Sequence, residues 1–264
     1  MDETKKLNLL KVLNIIAFLA TIVVNTLSNT LPINNKTTKV LSDSYPNLFT
    51  PSALTFSIWG LIYFLLLVFI IYQTGILSRQ NKDEMSLIKK LNFFFVLSCI
   101  GNIGWIFLWH YELVFLSVLA MFVILYSLVT IYLIIYKSKP LNLKQKLCVK
   151  LTFSIYLGWI TVATIANITA ALVDLGLIEY GVPGQIWTIT AVAIAVIITL
   201  YVLHRYNDIA YSFVPLWALT GILIKHLTVF KGEYTNVIVS VIAGMIVVCI
   251  GIIITLLNSK KSLV

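Results

Sequence analysis

Tryptophan, tyrosine and asparagine residues recur at intervals of three, four, seven or eleven residues in three segments of this chain. The three sets are Trp59 with Tyr63; Asn102 with Trp105 and Trp109; and Tyr156 with Trp159, Ala163 and Asn167. Residues at these intervals lie on one face of a helix. Aromatic rings that carry N–H and O–H donors, combined with amides, suit a flat and mostly apolar molecule with a few polar groups.

The segments that position these side chains are apolar and long enough to cross a bilayer. A helix needs about 20 residues to span a hydrocarbon core of about 30 Å. The chain is 60% apolar and 11% charged, with a mean hydropathy of +0.98. We predict an all-α polytopic membrane bundle with eight transmembrane helices. They are expected at residues 8–30, 52–73, 91–110, 112–136, 148–174, 184–204, 209–228 and 235–257.

The asparagines in the stripes have two interpretations. An amide that faces lipid would be unsatisfied, so Asn102 and Asn167 are expected to point into the bundle. Such amides can simply hold helices together, and tryptophans near span ends, such as Trp109 and Trp187, are typical of interfacial belts. Packing explains each stripe alone, whereas three stripes together favour a shared pocket.

The positive charge is distributed unevenly along the chain. Fifteen of the nineteen Lys and Arg residues fall in segments on the same side of the predicted spans as the N-terminus. This bias fits the positive-inside rule, with both termini in the cytoplasm. The basic balance therefore indicates topology, and we expect the lipid bilayer, not nucleic acid, as a partner. The Ile-, Asn- and Lys-rich composition suggests a bacterial plasma membrane.

Two connecting segments suggest further organisation. Residues 31–51 form a long polar loop that contains Tyr45, Phe49 and Pro51, and these residues favour a packed lid over a slack linker. Residues 110–112 leave room only for a tight turn between the third and fourth spans. Helix-stopping glycines around Gly176 predict a boundary between residues 1–176 and three additional transmembrane helices at 177–264. Gly244 and Gly251 predict close helix contact through the eighth span.

Residues for catalysis or metal binding are not apparent. Cys99, Cys148 and Cys249 lack the spacing of a redox or metal site. The three histidines lie far apart, and the chain contains no P-loop and no G-x-S-x-G motif. We therefore expect no metal, no cofactor and no catalytic residues.

Three stretches resemble the TspO/MBR family, the tryptophan-rich sensory proteins related to the mitochondrial translocator protein or peripheral benzodiazepine receptor. They are PSALTFSIWGLIY at 51–63, NIGW at 102–105 and YLGWITVATIAN at 156–167. The resemblance covers about residues 8–175. It implies that the first five spans form a TspO-like bundle with a pocket beneath the first loop.

The resemblance also implies a ligand. Family members bind porphyrins and other tetrapyrroles, sterol-like molecules or benzodiazepine-type drugs. The positions that fall on the family's motifs are Trp59, Asn102, Trp105, Tyr156, Trp159, Ala163 and Asn167. With Tyr63, these are the expected ligand-binding residues, and Tyr45, Phe49 and Pro51 are the expected lid.

Two other functions remain open at this point. A transporter or permease would use all eight spans, although internal repeats and intramembrane carboxylates are not apparent. An enzyme that degrades a bound porphyrin would have to act through Trp or Tyr, because the spans contain no acid–base pair. The sequence also leaves open a homodimer.

Overall fold

All eight predicted transmembrane spans are long helices in the computed structural model. The structure describes residues 3–31, 33–76, 81–178 and 181–261, and side chains within 9–31, 33–76, 81–178 and 181–258. These residues form helices and turns without a strand, and eight helices are long and apolar enough to cross a membrane. The helices are α1 (Glu3–Thr30), α2 (Thr38–Asp43), α3 (Ile58–Thr74), α4 (Lys82–His110), α5 (Val114–Tyr136), α6 (Leu143–Gln145), α7 (Leu151–Asp174), α8 (Val182–Tyr206), α9 (Ile209–Thr228) and α10 (Thr235–Lys261).

The helix that contains the third span begins nine residues before the predicted start. Asn81 Oδ1 accepts a hydrogen bond from the Glu84 amide, and the Glu84 carboxylate accepts one from the Asn81 amide, both at 2.9 Å. Asn142 and Gln145 form the same reciprocal pair at the start of α6, which continues through a π-helical turn into α7. These capping boxes satisfy amides that would otherwise lack partners. The helices therefore begin at the caps and not at the first apolar residue.

The chain divides into two compact units. The first unit comprises Met1–Leu41 and Trp59–Ile160, and the second comprises Ser42–Ile58 and Thr161–Val264. The boundary falls within α7, which contributes residues to both units. The proposed division into a five-helix bundle and three further helices at Gly176 stays a prediction.

A polar stripe fixes α1 within the first unit. Its buried residues recur every three or four positions, and they are Asn14, Phe18, Thr21, Asn25 and Ser28. Asn14 Nδ2 donates to Gln73 Oε1 on α3 and to Asn92 Oδ1 on α4, both at 2.8 Å. Buried amides of this kind hold transmembrane helices together because lipid offers no alternative partner.

Replacing Asn14 by leucine is expected to lower the free energy of unfolding by about 1–2 kcal/mol, because two buried acceptors lose their donor. Additional Gln73→Leu and Asn92→Leu changes should recover most of the loss, since the unpaired groups are then removed. Thr26→Leu, on an exposed part of α1, is the control. Thermal unfolding in detergent measures all three variants. An unchanged midpoint for Asn14→Leu would contradict the account of this polar stripe.

The connection between α4 and α5 is the tight turn that the sequence predicts. Tyr111, Glu112 and Leu113 connect the two helices, and their amides donate to carbonyls in the last turn of α4. Glu112 adopts a left-handed conformation with φ of 58°. Further along α4, a Cβ atom at Gly101 would lie 2.9 Å from Ile124 Cγ1 on α5. Small side chains thus allow these two helices to pack closely.

The second unit contains α8, α9 and α10 packed against one another. The close contacts predicted at two glycines of α10 are present. A Cβ atom at Gly244 would lie 2.9 Å from Val196 Cγ2, and one at Gly251 would lie 3.0 Å from Leu203 Cδ2. Both contacts join α10 to α8, as small residues do at transmembrane helix interfaces.

Candidate functional site

Four aromatic side chains of the first unit form a continuous cluster, hereafter the aromatic cluster. The Trp59 ring on α3 stacks on Tyr63 with centroids 5.4 Å apart and planes 21° apart. The Trp59 ring also makes edge-to-face contacts with Tyr156 and Trp159 on α7, each with centroids 6.2 Å apart. Tyr156 and Trp159 are buried, whereas Trp59 is half-buried. The first and third stripes therefore converge, as their helical spacing allows.

A buried amide pair lies beside this cluster. Asn102 on α4 is fully buried, and its Oδ1 accepts a hydrogen bond from Asn25 Nδ2 on α1 at 2.6 Å. The Asn25 amide also donates to the Thr21 carbonyl at 2.9 Å. The Tyr156 hydroxyl lies close to the Asn102 side chain. The amide pair and the aromatic cluster are thus adjacent parts of one site.

The Tyr63 hydroxyl oxygen and Asn102 Nδ2, both in this site, are buried without a hydrogen-bond partner among the described residues. A buried polar group without a partner costs about 1–3 kcal/mol, and such groups are rare in folded proteins. Both groups can donate a hydrogen bond, so they could be satisfied by an acceptor on a bound molecule.

Trp105 and Trp109 form a ring pair on α4. The two rings stack with centroids 5.9 Å apart and planes 17° apart, and both are buried. The Trp109 indole N–H is directed at the Thr38 carbonyl, 3.5 Å away. Trp109, which the sequence suggested as part of an interfacial belt, therefore also contacts the first loop.

Ala163 and Asn167 continue the aromatic face of α7 by one and two turns. They belong to the second unit, where Asn167 is buried and Ala163 is half-buried. Their participation in ligand binding stays a prediction.

The first half of the long loop is fastened to the end of α4. His110 is fully buried, its Nδ1 donates to the Ile33 carbonyl at 3.1 Å, and its Nε2 lies 3.0 Å from Thr38 Oγ1. Because a carbonyl can only accept, Nδ1 carries the proton. Asn34 Nδ2 donates to the His110 carbonyl at 3.0 Å. These contacts order the residues that follow α1.

The second half of the loop is anchored on α9. His226 Nε2 donates to the Leu48 carbonyl and Trp217 Nε1 donates to the Thr55 carbonyl, both at 2.9 Å. The Ser52 amide donates to the Gly221 carbonyl at 3.0 Å. The expected lid residues Tyr45, Phe49 and Pro51 are all buried. The second half of the loop is thus packed within the second unit, while its role as a lid stays a prediction.

Sequence reasoning did not identify four of the residues that shape these sites. Asn25 could have been found from the polar stripe of α1, because Asn14, Thr21, Asn25 and Ser28 share one helical face. Trp217, Gly221 and His226 pair with residues more than 160 positions away. No local pattern indicates such pairings.

A family model described as TSPO-like protein matches residues 11–255. The chain belongs to this TSPO-like family. The match extends well beyond residue 175, where the resemblance noted from the sequence ends, and includes α8, α9 and most of α10. No curated protein and no solved structure matches the chain. This TSPO-like protein is therefore an integral, multi-pass membrane protein whose family relationship spans all eight transmembrane helices.

Some charged residues near the ends of the predicted spans lie outside the part of the chain that the structure describes. Arg79 and Glu179 lie outside the described residues, as do the side chains of Lys5, Lys6, Lys260 and Lys261.

Proposed function

We propose that this TSPO-like protein is a membrane receptor that binds a planar hydrophobic ligand of the tetrapyrrole or sterol type at the aromatic cluster. The observation that carries the proposal is the pair of unsatisfied donors, the Tyr63 hydroxyl and Asn102 Nδ2, beside four aromatic rings. A porphyrin offers a flat apolar surface with polar groups at its periphery. It could therefore stack on the aromatic rings and accept hydrogen bonds from the Tyr63 hydroxyl and Asn102 Nδ2.

The ring contacts indicate how a ligand would enter. Trp59 contacts each of the other three rings, so a flat molecule that stacks within the cluster must displace Trp59. Trp59 and Tyr63 are half-buried, whereas Tyr156 and Trp159 are nearly inaccessible. Rotation of Trp59 would therefore open the cluster without moving the two buried rings. The ligand would replace the Trp59 contacts with its own stacking surface, which limits the net cost of opening the site.

The proposed role is sensory or binding, because the residues of this site offer donors and apolar surface but no acid–base pair. We also propose the orientation that the charge distribution indicates, with both termini in the cytoplasm of a bacterial cell.

Replacing Tyr63 by phenylalanine tests this proposal. The variant removes one hydroxyl that has no partner in the free protein. The affinity for protoporphyrin, measured by titration in nanodiscs, should fall about tenfold because a buried hydrogen bond to the ligand is lost. The free protein should be as stable as the wild type or up to about 1 kcal/mol more stable, since a desolvation penalty disappears.

The opposite pattern would contradict the proposal. A variant that is less stable but binds protoporphyrin with unchanged affinity would show that the Tyr63 hydroxyl serves the fold alone. Tyr126→Phe is the matched control, because Tyr126 is 62% exposed on α5. It should change neither the affinity nor the stability.

A further inference from the structure

A cavity lies at the opposite end of α4 from the tight turn. It has a volume of about 690 Å³ and is bordered by the start of α4, the end of α5 and the segment that leads to α6. All of its lining residues belong to the first unit. It is separate from the aromatic cluster, with which it shares no residue.

The lining of this cavity is basic. Lys90, Lys137 and Lys139 contribute three positive charges, and Asp83 contributes one negative charge. Asp83 is committed to Lys139, whose Nζ lies 2.9 and 3.0 Å from the two carboxylate oxygens. Lys90 and Lys137 make no ion pair with any residue that the structure describes. Two ammonium groups are therefore left to bind an anion.

The other lining groups suit a phosphate ester. Ser86, on the second turn of α4, contributes a hydroxyl. Asn142 is oriented by its hydrogen bond to the Glu84 carboxylate at 2.9 Å. Leu87 and Ile134 supply apolar surface between these polar groups. A ligand with a charged head and an apolar body matches this division.

The position of the cavity favours a lipid as the source of the phosphate. The start of α4 follows two membrane spans, so it lies on the side of the N-terminus, where most lysines and arginines fall. Basic pockets between transmembrane helices on that side bind anionic head groups. Phe93, one helical turn beyond Lys90, is 63% exposed and offers an apolar track for an acyl chain.

We propose that this cavity binds the phosphate-bearing head group of an anionic phospholipid, with Lys90 and Lys137 as the charged contacts. The site is independent of the tetrapyrrole site. It would hold the ends of α4 and α5 to one leaflet and make the stability of the protein depend on lipid composition.

The test compares two double variants of the full chain. Lys90→Gln/Lys137→Gln removes the two cavity charges, and Lys144→Gln/Lys146→Gln removes two charges that follow α5 but do not line the cavity. Native mass spectrometry with phosphatidylglycerol and with phosphatidylcholine measures the bound lipid. The cavity variant should bind phosphatidylglycerol roughly 30-fold more weakly than the wild type, because each lysine near a membrane surface contributes about fivefold. Phosphatidylcholine should bind weakly to the wild type and to both double variants.

The same proteins are titrated with glycerol phosphate while thermal unfolding is followed. Stabilisation by phosphatidylglycerol alone supports a lipid site, and stabilisation by both compounds that is lost in the cavity variant supports phosphate recognition from either source. Equal losses in the two double variants, or no loss in the cavity variant, would overturn the proposal. In the first case the effect would be general surface charge.

Discussion

Replacement of Gly221 by leucine is expected to release the second half of the long loop from α9. A Cβ atom at position 221 would overlap Thr55 Oγ1 and would lie 2.9 Å from Thr55 Cβ and 3.0 Å from Pro51 Cβ. Pro51 ends the loop, and Thr55 lies in the segment directly after it that is hydrogen-bonded to α9. Overpacking of this kind costs about 1–3 kcal/mol. At the upper end of this range, the released form would become about 100-fold more populated.

Release of the loop can be followed by thiol labelling. Leu48 is 1% exposed, so a cysteine at this position, in a protein without its three native cysteines, should react with maleimide only when the loop opens. The labelling rate should rise about 100-fold in the Gly221→Leu background. Gly104→Leu is the control, since its Cβ would meet no atom within 4 Å. Similar labelling rates in the wild type and Gly221→Leu would contradict the anchoring of the loop by α9.

A double-mutant cycle tests whether the substitution at Gly221 acts through its contact with Thr55. Gly221→Ala adds only the Cβ atom, and Thr55→Ala removes the hydroxyl that this atom would overlap. If the two changes act at one contact, the double variant should be more stable than the sum of the single effects predicts, by about 1 kcal/mol. Additive effects would show that the substitutions act elsewhere.

Removal of two rings from the aromatic cluster is expected to abolish most ligand binding. Buried tryptophans at binding sites commonly contribute 2 kcal/mol or more each. Trp59→Ala combined with Trp159→Ala should therefore weaken protoporphyrin binding by at least about 100-fold. The shift of the porphyrin absorbance band on titration into nanodiscs gives the affinity without relying on tryptophan fluorescence.

The alanine variants leave a large void, so milder variants must accompany them. Trp59→Phe and Trp159→Phe keep part of the ring volume and should each reduce affinity about tenfold. Trp187→Phe is the matched control, because Trp187 belongs to the second unit, where its indole donates to Thr169 Oγ1. Equal losses for Trp187→Phe and Trp159→Phe would remove the reason to place the ligand at the cluster.

The eight spans, the tight turn at residues 110–112 and the glycine contacts of α10 could all be predicted from the sequence. Each depends on composition or spacing within one segment, which a bilayer constrains strongly. The starts of α4 and α6 were also readable, because Asn81 with Glu84 and Asn142 with Gln145 have capping-box spacing. The apolar runs alone predict where each helix enters the membrane and not where the helix begins.

The candidate site could be predicted only in part. Helical spacing indicated that Trp59 on α3 and Tyr156 and Trp159 on α7 face the bundle interior, and in the structure these three rings are in contact. Trp105 stacks on Trp109, and its part in ligand binding stays a prediction. Helical spacing could not identify Asn25 as the partner of Asn102, or α9 as the anchor of the loop. These pairings depend on how distant helices pack, which local sequence does not specify.

Photochemical crosslinking provides the most direct measurement of where the ligand binds. A protoporphyrin that carries a diazirine would be irradiated with the protein in nanodiscs, and mass spectrometry would locate the modified residues. Crosslinks on α3 and on the first half of α7 that disappear with excess unlabelled protoporphyrin are the expected result. Competable crosslinks confined to α8, α9 and α10 would contradict the central claim that the aromatic cluster is the binding site.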